Sequence, residues 1–409
     1  MNSLSSFCVS HPTGNNFVRA LVGELLRQGK LLQYFTSIGF GQKANPILKF
    51  FGKKRGYKFP DNKIRRQWLP ELLRIIFSDY LSQERRRIYA DSSYAALDRK
   101  VAKNLPHLLP SVVHAYEDGA RNSFKQAKKF GIYCSYELPI AHWQTVRSLL
   151  SQEAERLPHW EPTLESTRES EEKLFRKEEE LDLADGIICP SKFVLQSIPE
   201  CIRNKKTCKI APFGSPLCLS NERIRNVHET MPLKLLFVGS MSQRKGLADL
   251  FKAMEILRNE PVSLTVLGQP SLPMEFYRGC YRDFEYLAPC SNNKVREIMK
   301  MHDALVLPSI VEGRALVQQE ALSCGLSIIV TPNAGGEDLL EEGTTGHLVP
   351  IRSPEKIAEA ITSMVENRSS KEEIQNLCQK KAKEYSWKTY AQKIIDFNLP
   401  NPAERHDMS

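Results

Sequence analysis

The chain is most constrained by a rhythm. Short runs that are apolar throughout recur along it, each joined by polar sequence to a helical stretch, in two series flanking a polar segment near residues 214–232. A run without apolar–polar alternation reads as a strand buried on both faces, and such strands alternating with helices form parallel sheets. The first series runs through Ser6–Ser10, Ser111–Tyr116, Gly131–Tyr136 and Gly186–Pro190; the second through Leu235–Val238, Ser263–Leu267, Ala304–Leu307 and Ser327–Val330. At 409 residues the chain exceeds one ordinary core. The expected fold is α/β, with two domains that each carry a parallel sheet. The first opens with a strand, the loop His11-Pro-Thr-Gly14-Asn-Asn16, and a helix from Phe17 to Arg27 whose apolar residues fall at helical spacing and which Gly29 stops. Residues 40–105 read as a helical, basic insertion, and Glu165–Leu183 as a long charged helix with a solvated face.

Composition narrows the class. Hydrophobic residues make up 41% and charged residues 26%, a globular profile. No run approaches the length of a membrane span, and the N-terminus lacks the charged start and apolar stretch of a secretory signal. The ten cysteines form no Cys-x-x-Cys pair and have no histidine at zinc-finger spacing; Cys134, Cys189 and Cys324 lie in apolar runs. This pattern predicts a reducing, cytoplasmic compartment. The net charge of +9 is uneven: Lys43 to Arg66 holds nine Lys or Arg against one acid, Asp61, with Phe50, Phe51, Tyr57 and Phe59 interleaved. Such a patch suits anionic lipid, a phosphorylated substrate or nucleic acid, or is a solvated loop. No nucleic-acid-binding motif accompanies it, so a nucleic-acid partner is not expected.

The chemistry concentrates in three loops of the second series. Pro308–Gly325 follows a strand ending at Leu307 and runs into a helix that begins near Arg314 or Ala315. That turn lies at the C-terminal end of a parallel strand, where the amides of a helix's first turn favour phosphate. Glu312 before the helix and Glu320 within it can each accept two hydrogen bonds from sugar or ribose hydroxyls. Arg244-Lys245-Gly246, after the first strand of the series, can neutralise a diphosphate and stabilise it as a leaving group. In Asn333-Ala-Gly-Gly336-Glu337, after the strand ending at Val330, the paired glycines let backbone approach a ligand closely. No Asp-x-Asp pair is present, which with Arg244 and Lys245 predicts leaving-group stabilisation without a metal.

Taken in this order, Gly239…Arg244-Lys245-Gly246, Pro308-Ser309…Glu312-Gly313, Glu320-Ala-Leu…Cys324-Gly325, Gly335-Gly336-Glu337 and Gly343…Gly346-His-Leu-Val-Pro350 resemble the C-terminal domain of the retaining glycosyltransferases of family 4 (glycosyl transferases group 1), with its Glu-x7-Glu spacing. The resemblance covers residues 233–365 well and the N-terminal half more loosely. It implies the GT-B fold: two facing Rossmann-like domains with a cleft between them. The acceptor domain would cover 1–215, the donor domain 216–385, and a segment 386–409 would carry a helix packing back on the first domain. The implied reaction moves a hexose-type sugar from a nucleotide-diphosphate sugar to an acceptor hydroxyl, with retention, in glycan, glycolipid or polysaccharide biosynthesis. The acceptor would be a glycan or lipid-linked molecule, with no cofactor or metal, and the basic stretch would dock the enzyme on an anionic membrane surface at its cytoplasmic face.

The resemblance also implies roles. Glu320 would hold the ribose, Glu312 the donor sugar, and Lys245 with Arg244 the diphosphate, while the amides from Gly313 through Arg314 and Ala315 to Leu316 would serve the donor. Ser240 stands where the family often has Arg, and Glu312-Gly-Arg-Ala315 replaces the common Glu-Gly-Phe-Gly. In the N-terminal half, Gly14 fits the family's glycine loop. Near the reacting carbon the candidates are Glu137 and His142, and which of the two faces the sugar is open; Glu117-Asp118 and His11 are further cleft candidates. The rival readings are a non-catalytic nucleotide-sugar binder on the same fold and a dinucleotide-dependent oxidoreductase. The latter requires Gly-x-Gly-x-x-Gly, which neither Gly14 nor Gly239 begins.

Overall fold

The computed structural model describes residues 5–42, 56–77, 83–164, 169–216, 232–366 and 371–398. They form two parallel sheets. The first half contains β1 (Phe7–Ser10), α1 (Asn16–Arg27), β2 (Leu31–Thr36), β3 (Ile64–Arg66), α2 (Trp68–Phe77), α3 (Gln83–Leu108), β4 (Val112–Tyr116), α4 (Arg121–Lys129), β5 (Tyr133–Glu137), α5 (Trp143–Arg156), α6 (Glu171–Leu183), β6 (Gly186–Cys189), α7 (Lys192–Ser197), α8 (Glu200–Arg203) and β7 (Thr207–Ile210). The second contains β8 (Leu233–Val238), α9 (Leu247–Ile256), β9 (Val262–Leu267), α10 (Met274–Cys280), β10 (Phe284–Leu287), α11 (Asn292–Met299), β11 (Ala304–Leu307), α12 (Leu316–Ser323), β12 (Ser327–Val330) and β13 (Gly346–Leu348), then α13 (Pro354–Glu366), α14 (Lys371–Lys383) and α15 (Trp387–Phe397).

Among the described residues the strand orders are β3-β2-β1-β4-β5-β6-β7 and β10-β9-β8-β11-β12-β13. Each sheet therefore reverses direction once, at β1/β4 and at β8/β11. The loops leaving those strands open a crevice at the carboxyl ends of the sheet, the place where open α/β sheets bind ligands. α1 shows why the local sequence folds as it does. Val18, Leu21, Val22 and Leu25 bury one stripe, and Gly29 at φ 70° ends the helix, with the Gly29 and Lys30 amides returning to the Leu26 and Leu25 carbonyls. Tyr390, Ala391, Ile394 and Ile395 of α15 close the same hydrophobic cluster, so the chain's last described helix rests on the first sheet.

The segment read as an insertion is more integrated than its composition suggests. Ile64–Arg66 pairs in parallel with β2, and Leu97, Val101 and Leu105 of α3 are core residues of the first sheet. Tyr57 and Phe59 of the basic stretch are also core, packing on Tyr34 with ring centroids 5.2 and 6.4 Å away. Of that stretch, residues 43–55, including Phe50 and Phe51, lie outside the described residues, as does most of the polar segment 214–232 and part of the helix read from Glu165; that helix is described from Glu171.

Candidate functional site

The loops after β8 and β11 meet at the switch point of the second sheet. Gly246 has φ 74°, and a Cβ there would lie 2.0 Å from the Pro308 carbonyl oxygen, so only glycine lets the loops touch. The Ile310 amide, 2.9 Å away, donates to the Arg244 carbonyl. This contact brings three charged side chains together. Glu312 accepts from the Arg244 guanidinium and lies 2.5 Å from Lys245 Nζ. Burial pushes the Glu312 carboxyl up, but Lys245 and Arg244 outweigh it and hold it below its ordinary value. Burial lowers the Lys245 ammonium, with Glu312 opposing and Arg244 assisting. Two cations and one anion leave a net positive charge, with side chains 25%, 12% and 13% exposed for Arg244, Lys245 and Glu312. The cluster can receive an anion.

The rest of the loop after β11 is held by its neighbours. The Glu312 amide donates to the Asn333 carbonyl, Asn333 Nδ2 to the Ile310 carbonyl, and the Ala315 amide to the Ala334 carbonyl. Gly313 packs so closely on the N-terminal half that a Cβ would lie 1.7 Å from the Pro139 carbonyl oxygen, and its own carbonyl accepts from Ser191 Oγ at 2.6 Å. Arg314 does not face solvent: it is buried, donating to Gln319, the Gly335 carbonyl and Asp338, with Tyr385 beneath it. Leu316 opens α12 and packs against the first sheet's core. Ser240 lies in the β8 loop with its hydroxyl 3.2 Å from that of Ser242. Glu320 is half-buried on α12, and its carboxylate has no hydrogen bond or ion pair among the described residues. Burial raises its pKa, with Arg296 opposing.

The N-terminal candidates are placed differently. Gly14 sits in the β1 loop, and its carbonyl accepts from Arg19 Nε at 2.6 Å. His11 is buried at the end of β1, edge-on to Tyr116 and Phe17. Glu137 is buried inside the domain, 3.2 Å from His114 Nε2 and accepting from the Tyr390 hydroxyl at 2.6 Å. His142 precedes α5, and its buried ring lies 3.3 Å from Glu178 Oε1 without hydrogen-bond geometry. Burial, with Lys177 nearby, pulls its pKa down to about 4. Glu117 and Asp118 instead line a cavity of about 170 Å³ with Ile140, Ala141, Trp143 and Lys177. Burial pushes Glu117 up to about 7 against the pull of Lys177, 3.5 Å away. Ala141 and Val146 of this cavity share a hydrophobic cluster with Ile310 and Val311 of the loop after β11.

A family model described as glycosyl transferases group 1 matches residues 220–385. An uncharacterized glycosyltransferase of Methanocaldococcus jannaschii is 25% identical over 169 residues, 40% of this chain and 43% of that protein. The aligned part thus spans less than half of that curated relative. Sucrose-phosphate synthase from Thermosynechococcus elongatus superposes with a TM-score of 0.65 at 14% identity, over 99% of this chain and 100% of that one. An Anabaena protein solved in complex with UDP superposes with a TM-score of 0.61 at 14% identity, over 96% and 99%. The chain has the GT-B fold. Its two Rossmann-like sheets face across a cleft, and its C-terminal half is related to the group 1 transferases.

The charged cluster belongs to the C-terminal domain and the Glu117 cavity to the N-terminal one; Ala141 and Val146 share a hydrophobic cluster with Ile310 and Val311, and Gly313 packs on Pro139. Among the described residues no group of three or more His, Cys, Asp or Glu is arranged to hold a metal ion. Three residues that hold the loop after β11 were not legible beforehand: Ser191, Thr331, which donates to the Ser309 carbonyl at 2.5 Å, and Asp338. Asp338 lies two residues after the paired glycines, a signal that could have drawn it in. Ser191 is 122 residues from its partner and carries no such mark.

Proposed function

We propose that this protein is a glycosyltransferase that takes a hexose-type sugar from a nucleotide-diphosphate sugar and passes it, with retention, to an acceptor hydroxyl. The observation that carries the reading is the net-positive Arg244–Lys245–Glu312 cluster at the switch point of the second sheet. Such a cluster suits a diphosphate leaving group, and the Anabaena neighbour's complex with UDP is consistent with that use of the fold. Glu320, unengaged on α12, is available to ribose hydroxyls. The Glu117 cavity across the cleft suits the acceptor, so the acceptor half runs to about residue 215, the donor half over 216–385, and α15 returns to the first half. Product formation and binding with a panel of nucleotide sugars tests this. Turnover of one donor, with its binding weakened in Lys245→Ala and Glu320→Ala, is expected. Binding without turnover would make the protein a nucleotide-sugar binder, and no binding at all would overturn the reading.

The acceptor is proposed to be a glycan or lipid-linked molecule, met at the cytoplasmic face of a membrane. Among the described residues no helix is long and apolar enough to cross a membrane. α2, however, exposes Trp68, Leu69, Leu73 and Ile75 next to Arg65 and Arg66, an apolar face with cations at its edge that suits an anionic surface. Sedimentation with anionic vesicles, but not neutral ones, is expected; a Trp68→Ser/Leu69→Ser variant that partitions like the native chain would refute this docking face.

A further inference from the structure

α5 and the turn that follows it belong by sequence to the N-terminal half, yet Glu153, Arg156 and Trp160 are anchored in the C-terminal one. Trp160 is part of the second sheet's core, with ring centroids 6.2 Å from Phe251, 5.0 Å from Phe276 and 5.7 Å from Tyr277. Seven residues earlier, Glu153 is fully buried. It accepts from Arg156 Nη2 at 2.7 Å, from Gln243 Nε2 at 2.7 Å and from Arg352. Arg156 also grips Asp249 of α9 through two bonds of 2.8 Å. Two carboxylates and two guanidiniums balance, as a buried network must.

Gln243 is the member that matters for the site, because it immediately precedes Arg244 and Lys245. Its Nε2 donates to both Glu153 and Asp249, its Oε1 accepts from the Ala248 amide at 3.0 Å, and its own amide donates to Thr163 Oγ1 at 3.1 Å. A residue bonded at both ends of its side chain and at its amide has little freedom, and neither has the backbone of the next two residues. We propose that Glu153, Arg156, Asp249 and Gln243 are positioning residues for the Arg244–Lys245 pair, so that a helix from the acceptor half sets the geometry of the diphosphate cations. The same helix carries Trp143 and Val146 of the Glu117 cavity. The two walls of the cleft are therefore tied through one rigid element rather than through the linker alone.

This inference rests on the diphosphate reading above, and the test separates them. Calorimetry compares UDP, GDP or ADP, whichever binds the native protein, with the matching monophosphate. A positioning role predicts that Gln243→Leu and Glu153→Gln lower the preference for the diphosphate roughly tenfold, about the worth of one misaligned charge-assisted contact, with monophosphate affinity kept. Arg352→Ala at the rim should lower it less and Arg352→Lys should restore it; these two carry the test if the buried variants fail to fold. A purely structural network would shift Tm and leave the preference unchanged, which overturns the inference alone. A native protein that binds no nucleoside diphosphate overturns the functional reading as well.

Discussion

The two halves of the molecule use buried carboxylates in opposite ways. In the N-terminal half, Glu137 finds its partners, His114 and Tyr390, inside the fold. In the C-terminal half, Glu312 is also enclosed, but its partners are two cations on one turn, and the sum of charges is positive. The first arrangement is complete without a ligand. The second has charge to spare at the mouth of a parallel sheet. A titratable group at a strand end is thus better judged by whether its partners are hydrogen-bonding groups of the fold or charges in excess of its own than by its burial.

The largest expected effect breaks the Glu137 side. Glu137→Ala leaves His114 and Tyr390 without their shared acceptor and removes one polar tie between α15 and the first sheet. It should cost about 3 kcal/mol of stability, from two buried polar groups left without their acceptor and the cavity that remains. Denaturant unfolding reads the loss, and nucleoside-diphosphate affinity of the folded protein should be unchanged. If Glu137→Gln, which keeps the volume, abolishes transfer without loss of stability, Glu137 acts on the substrate and the contrast fails.

Next comes Lys245→Ala. Glu312 would keep only Arg244, and the cluster would fall to neutral. Diphosphate affinity should drop by about 1.5–3 kcal/mol, roughly ten- to a hundredfold, as measured by calorimetry. An unchanged affinity with intact fold would mean that the charge is spent within the protein on both sides of the cleft.

His142 sharpens the comparison through pH. Its folded pKa of about 4 lies below the ordinary histidine value, so the neutral ring is what the fold accepts. The stability it contributes is present above about pH 6.5 and lost as pH falls toward 4. Replacing it in His142→Phe should flatten the decline of unfolding free energy in that window by on the order of 2 kcal/mol. Activity near neutral pH should persist. Loss of transfer at neutral pH with an unaltered stability slope would instead place the imidazole in the chemistry.

How much of this was legible in the sequence follows the same physics. Strands buried on both faces, such as β11 and β12, announce themselves as unbroken apolar runs. β3, β7, β10 and β13 lie at or near sheet edges, where one face is solvated; β7, Thr-Cys-Lys-Ile, alternates in burial and carries no such run. β2 is interior but interrupted by Gln33, which is buried because its amide reaches the Asn62 carbonyl. In the site, Arg244, Lys245 and Glu312 were legible because each sits in a loop with local signals. Their mutual contact, 68 residues apart for Arg244 and Glu312, was not. Neither was the commitment of Arg314 to Asp338, nor that of Gln243 to Glu153, because tertiary pairing leaves no periodicity to read.

The smallest expected effect is none at all. A divalent ion on a diphosphate supplies positive charge and needs protein oxygens to seat it. At this cluster the carboxylate in contact with both cations, Glu312, already answers them, so an incoming metal would compete with Arg244 and Lys245 for it while being repelled by both. The same two cations supply the charge that the ion would bring to the leaving group. Turnover in a strong chelator should therefore match turnover without it, and Lys245→Ala should not be rescued by adding Mg²⁺ or Mn²⁺. Activity lost on chelation and restored by a divalent ion would show that the positive charge of the C-terminal half is borrowed rather than built in.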